Sequence, residues 1–65
     1  MIEVYVKSGV CYDIDMKYDK MLAILQDEFI HQNTYITAKL PDGLRCAIRK
    51  DCIVSINEIP DNQNA

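Results

Sequence analysis

The chain has 65 residues, of which 49% are apolar, with three cysteines and a net charge of −3. That length allows one domain, and that charge argues against non-specific nucleic-acid binding, double-stranded DNA included, because such affinity comes from neutralising phosphates. No apolar run approaches a membrane span and no leader pattern follows Met1; free cysteines without C-x-x-C spacing fit a reducing, cytoplasmic setting. A domain this small buries only about 60% of the surface its unfolded chain exposes, so packing or oligomerisation must supplement the core. A homo-oligomer that covers one flank is therefore expected.

In chain order, Ile2, Val4 and Val6 alternate with Glu3, Tyr5 and Lys7, and Val10, Tyr12 and Ile14 alternate with Cys11, Asp13 and Asp15. A three-residue loop Lys7-Ser8-Gly9 matches the two apolar faces, pairing Val6 with Val10, Val4 with Tyr12 and Ile2 with Ile14. It also puts Gly9 at the left-handed position of a type I turn closed by a bulge. Val10, Tyr12 and Tyr18 are read as core. Asp15 or Asp19 is expected to cap a helix whose stripe is Tyr18, Met21, Leu22, Leu25 and Phe29. Asp27 and Glu28 oppose the helix dipole, so the helix should end early. For residues 30–34 two readings stand: a strand running from Ile30 to Leu40, or a break at Gln32-Asn33-Thr34.

The stretch Tyr35 to Ile59 predicts a second hairpin and a fifth strand. A Pro41-Asp42-Gly43 loop pairs Leu40 with Leu44, Ala38 with Cys46 and Ile36 with Ile48, an apolar inner face throughout. The outer face then pairs Lys39 with Arg45, Thr37 with Ala47 and Tyr35 with Arg49. Lys50-Asp51 turns the chain, Ile53 is expected in a short 3₁₀ entry, and Val54 and Ile56 face inward. The expected architecture is α+β in the order β-β-α-β-β-β, a bent sheet or small SH3-like or Sm-like barrel with one helix packed on it. The domain spans residues 1–59 and the polar tail 60–65 is expected to be flexible.

Lys39, Arg45, Arg49 and Lys50, against Asp42 alone, make residues 35–50 net +3 in a chain that is −3 overall. With Tyr35 for stacking, these five residues are the candidate ligand-binding set: arginine suits phosphate and carboxylate geometry. The bland alternative is a solvated face or salt bridges to acidic neighbours. Tyr5, Cys11 and Tyr35 point outward and are the candidate interface. Glu3, Asp13, Asp15 and Asp19 form an acidic face without the glycine-rich loop of an ion site, and it could dock on the basic face of a neighbouring copy, head to tail. Cys46-x₅-Cys52 is no zinc spacing, and Cys11 with His31 has no nucleophile signature, so no metal, cofactor or catalysis is expected.

Ile48-Arg49-Lys50-Asp51-Cys52-Ile53-Val54-Ser55-Ile56 resembles the closing strand–3₁₀–strand of Sm-like proteins. There, similar residues end the barrel and a basic side chain near the turn contacts RNA or a nucleotide. The helix between strands two and three departs from that pattern. In style the chain is also similar to small orphan proteins of phages and mobile elements of bacteria, which implies blocking of a host protein or sequestration of a nucleotide signal. Two functions are thus expected. One is a non-enzymatic, homo-oligomeric module that binds or inhibits a partner protein. The alternative is an oligomeric anion-binding protein for a nucleotide or short RNA.

Overall fold

The computed structural model describes residues 1–60. The expected tail, apart from Pro60, lies outside the described residues. The strands are β1 (Ile2–Val6), β2 (Cys11–Ile14), β3 (Tyr35–Lys39), β4 (Arg45–Arg49) and β5 (Ile53–Glu58). One helix, α1 (Tyr18–Gln26), lies between β2 and β3, and a 3₁₀ turn, Lys50–Cys52, joins β4 to β5. They build an α+β domain of two antiparallel sheets, ordered β2-β1-β5 and β3-β4. The sheets do not close into a barrel.

Both hairpins adopt the face-matched register. Ile2 pairs with Ile14 and Val4 with Tyr12; Ile36 pairs with Ile48, Ala38 with Cys46 and Lys39 with Arg45. The turns repeat one design. Val6 N–H donates to Val10 O at 3.1 Å and Gly9 N–H to Val6 O at 2.9 Å; Leu40 N–H donates to Leu44 O at 2.7 Å and Gly43 N–H to Leu40 O at 2.9 Å. Gly9 and Gly43 both have φ +90°, where a side chain is strained.

Ile2, Val4, Ile14, Met21, Ile36, Ala38 and Ile48 form the buried core. Half-buried Tyr18, Ile24, Leu25, Leu40, Cys46, Ile53 and Ile56 pack around it. Several expected core positions lie outside. Val10 is 47% exposed, Leu44 63% and Tyr12 36%. Val10 and Leu44 sit at the tips of their hairpins, beyond the reach of the opposing layer. Val54 is 65% exposed because the register slips between Tyr5 and Val6, so that Ile53 takes the inward place instead.

The helix begins differently from expectation. Lys17 is its N-cap residue and no side chain caps it; Asp19 lies in the first turn and Asp15 precedes the helix. It ends early, as the charges at Asp27 and Glu28 require. Asp27 Oδ1 accepts from Phe29 N–H at 2.9 Å, an Asx turn that draws the backbone out of the helix. Phe29 is 94% exposed and takes no part in the apolar stripe. Turns then occupy the chain up to Thr34, so β3 begins at Tyr35 and the break is the correct reading of residues 30–34.

Candidate functional site

The hairpin ladders determine which backbone groups remain free. Val6 to Val10 and Leu40 to Leu44 are hydrogen-bonded pairs, so Cys11 and Asp13 of β2, and Tyr35, Thr37 and Lys39 of β3, turn their N–H and C=O groups away from their own hairpins. β2 and β3 meet at one point, where Asp15 N–H donates to Lys39 O at 2.8 Å. From there they splay apart. At the open end Tyr12 and Tyr35 face a shallow groove of about 220 Å³, floored by Val6, Ala47 and Ile48 and bounded by Arg49 and Cys52. Tyr12 to Tyr35 and Asp15 to Lys39 run in the same chain direction, the arrangement of a strand–helix–strand crossover.

Arg49 is held at this groove. Its Nη2 donates to Asp51 Oδ2 at 2.6 Å across the start of the 3₁₀ turn. That hydrogen bond raises the guanidinium pKa above its ordinary value and lowers that of the Asp51 carboxyl. The pair leaves Arg49 Nε and Asp51 Oδ1 buried without partners, so only one arm of the fork is used. Tyr35 opposite Arg49 is 61% exposed.

The other members of the basic set are dispersed. Lys50 is 5% exposed, and its Nζ donates to the carbonyls of Asp27 and Ile30, both at 2.8 Å. It therefore closes the C-terminal end of α1, where the helix has no basic residue of its own. Its ammonium does not reach the outer face, which corrects its placement in the ligand-binding set. Lys39 lies with Lys17, Lys20, Thr37, Asp15 and Met16 around a wider depression of about 670 Å³ beside the start of α1. Arg45 is exposed near the hairpin tip, opposite Lys39. The expected five-residue cluster is thus three separate places.

The candidate interface residues divide as well. Tyr5 and Cys11 are cross-strand neighbours on the outer face of the β2-β1-β5 sheet, away from Tyr35. The neighbouring Cys11 thiol, with the nearby Glu3 carboxylate, raises the Tyr5 phenol above its ordinary pKa. On the same face, ligand atoms of Glu3, Cys11 and Asp13 lie within 4.8 Å of one another, two carboxylates and a thiol that could share a metal ion. Glu3 and Asp13 are directly opposite, so the acidic face is real, although Asp15 has turned off it toward β3. Among the described residues no helix is long and apolar enough to cross a membrane.

Two features escaped the sequence. Tyr12 is a groove wall because β2 and β3 diverge beneath it, a property of the crossover that alternation does not encode. Lys50 is a buried cap because its partners are 23 and 20 residues earlier in the chain. Its one sequence signal was the acidic, uncapped end of α1. Comparison with protein-family models, curated proteins and solved structures yields no match.

Proposed function

We propose that this protein is a non-enzymatic interaction module that self-associates and binds a segment of a partner protein in the Tyr12–Tyr35 groove. The observation that carries this reading is the wedge between β2 and β3. It combines unpaired strand edges at Cys11, Asp13, Tyr35 and Thr37 with two exposed tyrosines and a pinned arginine. Free edge groups favour an extended backbone, and a neighbouring pocket selects its side chains. Tyrosine and arginine are the residue types that most often dominate binding energy at interfaces. At about 220 Å³ the groove is smaller than a usual small-molecule site and suits one or two apolar side chains of a peptide. Self-association is supported by the short core: among the described residues seven apolar residues are buried, while eight large apolar side chains are exposed.

Panning a random peptide library on the protein tests the groove. Extended, apolar-anchored peptides should be enriched, and Tyr35→Ala should weaken them by tenfold or more, on the order of 1.4 kcal/mol. Peptides that bind Tyr35→Ala as tightly as the parent would defeat the reading.

A second reading rests on a different observation. Lys17, Lys20 and Lys39 surround the wider depression at the open N-terminal end of α1, and Thr37 adds a hydroxyl. That arrangement favours an anion such as a nucleotide, with only Lys39 retained from the expected set. Titration with fluorescent nucleotides, with Lys20→Glu and Lys39→Glu as controls, decides it: saturable binding lost in both variants supports the reading, and absence of binding removes it.

A further inference from the structure

The strand array has two outer edges, β4 and β5, and charge closes only one of them. Ile59 N–H donates to Met1 O at 3.0 Å, which makes Glu3 with Asn57 and Tyr5 with Ser55 the hydrogen-bonded pairs of β1 and β5. Ile56 and Glu58 therefore turn their backbone groups outward, and Val54 is the extra residue at the register shift. By the same parity, Lys50 N–H to Thr34 O and Leu40 N–H to Leu44 O put the free edge groups of β4 at Arg45, Ala47 and Arg49.

Two copies joined on β4 about Ala47 would bring Arg45 of each opposite Arg49 of the other. Like charges directly opposite are destabilising, so this edge is guarded at both ends. β5 has no such guard. It is the longest strand, with no lysine, arginine or proline between Ile53 and Glu58. An antiparallel pair centred on Ile56 puts Ile56 opposite its own copy and Val54 opposite the second copy's Glu58, with no like charges facing. Exposed Val54 and half-buried Ile56 then gain apolar neighbours.

We propose that β5 is a docking edge for a second copy of this chain, joining two β2-β1-β5 sheets into one continuous antiparallel sheet about a two-fold axis. This names the interface for the self-association proposed above and is independent of the groove, which lies on the β2 and β3 side. Sedimentation equilibrium tests it with two β5 variants. Val54→Glu places a negative charge on an exposed position that the fold does not need, directly opposite the second copy's Glu58, and should weaken the dimer by about tenfold or more with the circular dichroism spectrum unchanged. Chemical synthesis with an N-methylated Ile56 amide removes an outward N–H while sparing the Ser55 and Asn57 groups that bond to β1, and should have the same effect. Arg45→Glu should leave the dimer intact. A protein that is monomeric up to its solubility limit would overturn the proposal. So would a dimer indifferent to both β5 changes, or one broken by Arg45→Glu and high salt, which would indicate head-to-tail docking of the charged faces. Peptide binding retained in Val54→Glu keeps the groove reading separate from this one.

Discussion

Replacing Lys50 with methionine isolates the role of a single buried ammonium. The stem keeps nearly its length and apolar character, so packing changes little, but the carbonyls of Asp27 and Ile30 lose a charged donor at 2.8 Å each. A hydrogen bond to a charged group contributes roughly 1.5–3 kcal/mol. Both bonds are only part-buried, and burial of the ammonium costs desolvation that the variant recovers, so a net loss of about 2–4 kcal/mol is expected. A chain of 65 residues has a total stability of roughly 3–10 kcal/mol at the usual value per residue. Lys50→Met should therefore lower Tm by roughly 10–30 °C. Urea unfolding followed by circular dichroism measures the difference, and amide exchange should show α1 losing protection first. A Lys50→Met protein within about 0.5 kcal/mol of the parent would refute the capping argument.

Gly9→Ala and Gly43→Ala should each cost about 1–2 kcal/mol, measured by thermal unfolding. An added Cβ meets nothing within 4 Å at either place, so the whole effect comes from φ +90°. Tyr12→Ser should cost only about 1 kcal/mol, against roughly 2–5 kcal/mol for Ile14→Ala, because one forms a groove wall and the other is fully buried. The Asp51 carboxyl is held below its ordinary pKa by Arg49, so its contribution to stability is fully present above about pH 4–5 and is lost as pH falls through the lowered value. Asp51→Asn should consequently be less stable than the parent at neutral pH, and the gap should close in acid; a gap that widens in acid would have the wrong sign.

Much of the fold was legible in the residues because alternation and turn chemistry agreed. Two loops ending in glycine admitted one face-matched register each, and both registers are those observed. The early end of α1 followed from Asp27 and Glu28, and the Asx turn at Asp27 completes it. What escaped was non-local. Val54 and Ile53 exchange places because the ladder slips at Tyr5, a shift that depends on the 3₁₀ turn meeting β1. Lys50 looked like part of a basic face because its partners lie 23 and 20 residues earlier, across the whole β3–β4 hairpin. Charge counting along a strand also missed that Arg49 is already paired, since Asp51 reaches it through the turn rather than along the strand.

The central claim, binding of a partner segment in the wedge between β2 and β3, is tested most directly by two-dimensional ¹H–¹⁵N NMR titration with a peptide selected by panning. Shift changes should centre on Tyr12, Tyr35, Ala47, Arg49 and Cys52, the residues around the groove, with Cys11, Asp13 and Thr37 affected through their free backbone groups. Changes confined to Lys17, Lys20 and Lys39, or to the Tyr5 and Glu3 face, would contradict it.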